Sequence, residues 1–284
     1  LISPRSVVRS HFPLPKIKIM NLVSEEFNFL KPLKFSKLTR LGNEYDGGYI
    51  IPEISIVDSD GLISFGYGYD PSFEKDYIKR SEKKVFIFDH TCGYLNLFLV
   101  FIRYLKRFLL FRKKFKDTVF HYNNLKKHHD FVSLKNINFF KKKIVKNKLH
   151  NDEINLDDII SISNFKNAIL KCDIEGSEYE IIQDIIKYEK LFNCIIIEFH
   201  NIDKNIEKFK YSINQLLEFY NIVHLHGNNH DPIIDKINIP STLEITLVKK
   251  FFNKEEKYIY NFPIEYLDRP NNPNQKELEF EFQK

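Results

Sequence analysis

Six apolar runs punctuate the chain, and most of them end in polar groups. They are "GLISFGYG" (61–68), "KVFIFD" (84–89), "NAILKCDIEG" (167–176), "NCIIIEFH" (193–200), "NIVHLHG" (221–227) and "STLEITLVKK" (241–250). The runs are continuous rather than alternating. That is the pattern of strands covered on both faces, as in a parallel sheet. Between them the spacing predicts amphipathic helices over 71–82, 177–190 and 204–220. Strands alternating with helices predict an α/β fold with crossover helices. The last run is β-branched and follows the previous one after a short connection, so these two are expected to form an antiparallel edge pair.

Residues 94–116 break this pattern. They are apolar with interspersed Arg and Lys. The longest uncharged part, Tyr94 to Ile102, falls far short of the roughly 20 residues a spanning helix needs. Two readings stand: a helix packed on the sheet with snorkelling basic side chains, or a helix that meets a membrane surface or a partner. The basic residues of 126–148 read as a solvated face.

Composition narrows the classes. The chain has 284 residues, of which 43% are hydrophobic and 29% charged, enough to bury a large core. Its 43 basic and 38 acidic residues leave a net charge of +5, too balanced to argue for nucleic acid as a partner. Cys92, Cys172 and Cys194 are odd in number and widely spaced, so neither a zinc ribbon nor a disulfide framework is expected. Cys172 and Cys194 sit inside apolar runs as small buried hydrophobes. This suits a reducing, cytoplasmic setting. The only Met is Met20, and residues 1–19 read as an upstream extension without the apolar core of a signal peptide.

Glycine is scarce, and its placement marks sites. Six of the nine fall in four motifs: Gly47 and Gly48 in "YDGGY", Gly66 and Gly68 in "SFGYGYD", Gly176 in "DIEGSE" and Gly227 in "HLHGNN". "LISFGYGYDPSFEKDY" reads as strand, Gly-x-Gly turn and helix, a turn that lets a ligand approach the backbone. Asp89 closes the next run, where an acidic residue takes ribose hydroxyls or caps the following helix. The pair points to a nucleoside-containing cofactor.

The later runs end in paired polar groups: Asp173 and Glu175, Glu198 and His200, His224 and His226. A spacing of two puts both members on one face of an extended strand. Ligands of parallel sheets bind beyond the strand carboxyl ends, so the pairs are expected to converge on one crevice. Carboxylates and imidazoles there suit a divalent cation or a general base for a hydroxyl. Glu178 reads as a first-turn helix residue, favourable to the dipole.

These residues resemble the FkbM-type methyltransferases. The resemblance is carried by "LKCDIEGSEYEII" with "IIIEFH", and by "RLGNEYDGGYIIP", "ISFGYGYDPSFEKDY", "FIFDHT", "HLHGNN", "STLEITLV" and "YLDRPNNP". It is closest to a subgroup found in surface-glycan gene clusters, spans about Arg40 to Asn272, and finds no motif in 93–150. It implies a Rossmann-like class I methyltransferase fold: a mostly parallel seven-stranded sheet with an antiparallel edge strand and helices on both faces. The implied layout is an N-terminal extension over 1–39 and one domain over 40–284 with a basic helical insertion at about 93–150. It implies S-adenosylmethionine as cofactor, with Gly66, Gly68 and Asp70 at its methionine part, Asp89 on its ribose, and Asp46 and Gly47 closing that end. Asp173, Glu175, Glu198 and His200 would face the acceptor. Mg²⁺ on Asp173, Glu175 and Glu198 is implied by some relatives.

The expected reaction is O-methylation of a sugar hydroxyl in a surface glycan or its precursor. His200 is the first choice of base and His226 the second, because neutral imidazole suits the task near pH 7. His224, Asn228 and Asn229 are expected on the substrate. Two rivals are a metal-dependent hydrolase or other transferase using the same cluster, and a non-enzymatic membrane-associated binding protein built on 94–116. The expected location is cytoplasmic, with peripheral membrane contact through that helix.

Overall fold

Seven strands make the central sheet: β1 (Gly61–Phe65), β2 (Lys84–Phe88), β3 (Ile137–Phe140), β4 (Ala168–Cys172), β5 (Phe192–Phe199), β6 (Tyr220–Gly227) and β7 (Leu243–Lys249). The structure is a computed structural model that describes residues 21–252 and 257–284. The expectation for residues 1–19 and Met20 lies outside the described residues. The six apolar runs became six strands because each is buried on both faces; all five residues of β1 and all eight of β5 are buried.

The strand order is β6-β7-β5-β4-β1-β2-β3. Strands β1 to β5 run parallel, and β7 runs antiparallel to both β5 and β6. The last two runs thus form the expected antiparallel edge pair, with β6 outermost. This order, with one antiparallel strand beside the edge, is the Rossmann-like class I methyltransferase fold. The order reverses between β1 and β4, which opens a crevice at their carboxyl ends.

Seven helices among the described residues cover the sheet: α1 (Glu53–Asp58), α2 (Ser72–Ser81), α3 (Tyr94–Leu109), α4 (Phe115–Val132), α5 (Leu156–Ser163), α6 (Glu178–Lys187) and α7 (Ile206–Leu217). Helix α6 buries Ile181, Ile182 and Ile185, and α7 buries Phe209, Ile213 and Leu216. These helical spacings put one apolar stripe on the sheet, worth about 1.5–3 kcal/mol for each fully buried side chain. Helices α5 to α7 close one core layer. The second layer lies under α1, α2, the end of α4 and a ribbon that pairs Leu38–Leu41 with Tyr49–Pro52.

Three expectations change. Strand β3, "INFF", lies in the segment read as a helical insertion. It is too short, and too close to Lys-rich flanks, to stand out as an apolar run. The single helix expected over 94–116 is two helices, and α3 buries none of its residues, so it does not pack on the sheet. The described part of the N-terminal extension belongs to the domain. Val23, Phe27 and Leu30 are buried in the main core, and Asn21–Leu22 pairs in parallel with Phe280–Glu281.

Candidate active site

The glycine turn after β1 is held from three sides. Gly66 has φ +78, and its N–H donates to the Phe88 carbonyl at 3.2 Å. Its own carbonyl accepts from Lys171 Nζ at 2.9 Å. A Cβ at Gly66 would lie 1.7 Å from the Asp173 carbonyl oxygen, so only glycine lets β1 and β4 approach here. Gly68 also has positive φ, but open space stands where its Cβ would be. That space belongs to a cavity of about 400 Å³ at the carboxyl ends of β1, β2 and β4, within the size range of small-molecule sites.

All six residues expected at the cofactor stand in the cavity wall: Asp46, Gly47, Gly66, Gly68, Asp70 and Asp89. Gly47 has φ +79 and packs against Asp70, whose carboxylate accepts from the Asn43 amide at 2.6 Å and from the Ser72 N–H at 3.0 Å. Asp46 is tied to the C-terminal segment by Asn271 Nδ2 at 3.2 Å.

Asp89 differs from the expectation of a ribose ligand with free oxygens. Its Oδ2 accepts from the backbone N–H groups of Tyr67 and Gly68 at 2.9 and 3.1 Å. Its Oδ1 accepts from the Thr91 N–H and hydroxyl at 2.7 and 2.6 Å and from the Cys92 N–H at 3.2 Å. Five donors fill the roughly four acceptor sites of a carboxylate. Asp89 therefore clamps the glycine turn to the loop after β2. Burial opposes its charge, but these donors outweigh it and hold the pKa down at about 2. Its folded value lies below the ordinary 3.8, so its stabilisation is full above 3.8 and is lost as pH falls through about 2. Asp89→Asn is expected to lower the melting temperature at neutral pH, and the gap from wild type should narrow as the pH approaches about 2. Circular-dichroism melts across that range check this; a gap independent of pH would contradict it.

A registered polar row crosses the strand ends beside the cavity. Cys172 pairs with Ile197, which brings the following residues Asp173 and Glu198 level. Glu198 pairs with Glu244, and Glu244 with His226. The Tyr49 hydroxyl, from the covering ribbon, lies 2.9 Å from Asp173 Oδ2 and 3.1 Å from Glu198 Oε2. One phenolic proton serves one acceptor. Burial, then Asp173 and Glu244, push the Glu198 pKa well above its ordinary value. Its Oε1 accepts from Asn228 Nδ2 at 2.8 Å. Both Glu198 oxygens are engaged, by Tyr49 and Asn228, and it stands outside the group of side chains whose ligand atoms converge.

Among the described residues, His200 stands with Asp173 and Glu175 in a group that could hold a metal ion. Asp173, Glu175 and His200 each offer one ligand atom, and these atoms lie within 4.8 Å of one another. His200 Nδ1 contacts Glu178 Oε1 at 2.5 Å, while Nε2 lies 3.8 Å from Asp173 Oδ1 and 3.6 Å from Glu175 Oε2. Burial lowers the His200 pKa, but Glu178, Glu198 and Asp173 more than offset it and raise it to about 9. The expectation of a neutral base at pH 7 is therefore not met in the free protein. Glu178 does stand in the first turn of α6, as expected, but it is fully buried and orients the imidazole.

Three of the four remaining residues, His224, His226 and Asn229, meet the C-terminal segment, which closes over the β6–β7 edge. His224 Nε2 lies 2.9 Å from Asp268 Oδ1, and both are buried. His226 sits between Glu244 at 3.3 Å and Glu277 at 3.4 Å. Burial opposes its charge, yet these carboxylates raise its pKa well above the ordinary value. Asn229 donates to the Asn272 carbonyl at 3.0 Å and accepts from the Asn272 N–H at 2.7 Å. Asn228 braces Glu198. None of these four lines the cavity.

No family model matches the sequence, and no curated protein matches it. Solved structures do. The fibrillarin pre-rRNA processing protein of Methanococcus jannaschii is 9% identical with a TM-score of 0.37, over 69% of each chain. An rRNA methylase from Streptococcus thermophilus is 15% identical with a TM-score of 0.34, over 69% of this chain and 94% of its own. Precorrin-6y C5,15-methyltransferase from Geobacter metallireducens is 10% identical with a TM-score of 0.32, over 69% and 86%. At these values the fold assignment rests on strand order, not on the likeness.

Two residues were missed in sequence. Tyr49 joins the two carboxylates, and Lys171 lies 5.2 Å from the Tyr49 ring centre while holding the Gly66 carbonyl. Burial lowers the Lys171 pKa, but Glu74, Asp173 and Glu198 more than compensate and raise it, so the ammonium is charged. A lysine inside the apolar run "AILKC" was the available signal.

Proposed function

We propose that the chain is an S-adenosylmethionine-dependent methyltransferase acting on a sugar hydroxyl of a surface glycan or its precursor. The observation that carries this is the juxtaposition of two features. A glycine turn opens onto a small-molecule cavity at Gly68, and the Asp173–Glu175–His200 cluster stands at the same strand ends. A metal-dependent hydrolase explains the cluster but leaves the glycine cavity without an occupant.

Bound S-adenosylmethionine supplies an activated methyl group. The protein aligns the acceptor oxygen and receives its proton. Asp173 is the receiver that suits this, since Oδ2 is held by Tyr49 while Oδ1 faces the cluster. The His200 imidazolium, fixed by Glu178, stabilises the negative charge that develops nearby. If a divalent cation takes part, Asp173, Glu175 and His200 would hold it, and it would acidify the acceptor hydroxyl. The cavity wall carries Asp46, Asp70, Asp173 and Glu175. Asp173 and Glu175, at the acceptor end, accept hydrogen bonds from polyols and repel phosphodiesters, which favours a sugar over nucleic acid.

The test is transfer of labelled methyl from S-adenosylmethionine to a panel of sugar and glycan-precursor acceptors. An alkali-stable sugar ether is the expected product. Label on RNA alone, or on no acceptor, would overturn this reading.

A further inference from the structure

Helix α3 presents an apolar stripe to solvent. None of its 16 residues is buried. One side meets α4 through the ring pairs Phe101–Tyr122, Tyr104–His121 and Phe108–Phe115. On the other side Leu95, Leu99, Ile102 and Leu109 are 61%, 54%, 40% and 66% exposed. Their spacing of four, three and seven keeps them on one face. The turn that follows leaves Phe111 98% exposed with a left-handed backbone, φ +54. Isolated apolar residues in water are ordinary, but a stripe interrupted on its face by Lys106 alone, and running into an exposed aromatic tip, marks an interaction surface.

Charge selects the partner. Residues 94–116 contain seven Lys and Arg and no Asp or Glu. The cations gather at the tip end, from Arg103 through the 112–116 stretch. An apolar stripe rimmed by cations matches the interface of an anionic bilayer, with the apolar groups sunk among the acyl chains and the cations at the headgroups. A second copy of the chain would bring two such cationic faces together and be repelled. Nucleic acid would pair with the cations but leave the aliphatic stripe in water.

We propose that α3 and the turn at Phe111 dock on the surface of an anionic lipid bilayer. No helix among the described residues is long and apolar enough to cross one, so the contact is interfacial. Gly93, just before α3, bonds to Tyr69 beside the cavity at 3.0 Å, so docking places the cavity near the lipid surface.

Vesicle flotation tests this with phosphatidylcholine alone and with phosphatidylcholine plus phosphatidylglycerol. The wild-type chain is expected to float with the anionic vesicles, weakly with the neutral ones, and less at high salt. Replacing Lys106 and Lys113 with Gln should lower partitioning roughly thirtyfold. Leu99→Asn with Ile102→Asn should abolish it with the melting temperature unchanged, because both side chains already face water. Failure of the wild-type chain to float, equal binding to neutral vesicles, binding to an RNA oligonucleotide instead, or a dimer that these substitutions dissociate would each overturn the proposal.

Discussion

Gly66→Ala is expected to be the most destabilising single change in the site. The residue has φ +78, and the added methyl would stand 1.7 Å from the Asp173 carbonyl oxygen. Holding alanine in the left-handed region costs roughly 1–2 kcal/mol. Overpacking a tight contact adds about 1–3 kcal/mol. The oxygen belongs to backbone and cannot swing aside, so β1 and β4 must part. That breaks the 3.0 Å bond from the Asp173 N–H to the Phe65 carbonyl. A fall in melting temperature of roughly 4–20 °C follows for a domain of this size. Gly68→Ala is the control. Its positive φ carries the same left-handed cost of roughly 1–2 kcal/mol, but its Cβ meets nothing within 4 Å, so it escapes the overpacking and loses the ligand instead. Equal melting temperatures for the Gly66 variant and wild type would contradict the tight contact.

His200→Ala is expected to lower turnover by about 10²–10³-fold, the range for removing one preorganised electrostatic donor. The imidazole faces both Asp173 and Glu175, at 3.8 and 3.6 Å. Its removal also strands Glu178, a buried carboxylate whose Oε2 has no partner, so some stability is lost as well. His200→Gln keeps a hydrogen-bonding group toward Glu178 and separates the two effects. It should recover stability without recovering the rate. Steady-state kinetics beside melting curves read both, and a wild-type rate in either variant would contradict the role.

The sheet was legible because its strands are buried on both faces and read as unbroken apolar runs. Strand β3 was not, since four residues beside Lys-rich flanks carry too little pattern. The cavity wall was legible through glycine scarcity and the rule that ligands sit at strand carboxyl ends. The roles of individual strand-end residues were not. Spacing put His224 and His226 on the right face, but the segment carrying Asp268, Asn271 and Glu277 covers that edge. Nothing local in "HLHGNN" reports this cover. Glu178 read as a helix-start residue for the same reason: its partner, His200, lies 22 positions away. In "LKCDIEGSEYEII" three of the four carboxylates therefore belong to the candidate site, and Glu180 does not. Asp173 and Glu175 face the cavity, and Glu178 stands behind His200.

The most direct measurement is calorimetric titration of S-adenosylhomocysteine into the wild-type chain and the Gly68→Ala variant. Saturable one-site binding to the wild type, lost or strongly weakened in the variant, is the result this account predicts. A wild-type chain that takes up no S-adenosylhomocysteine would contradict it, whatever the strand order.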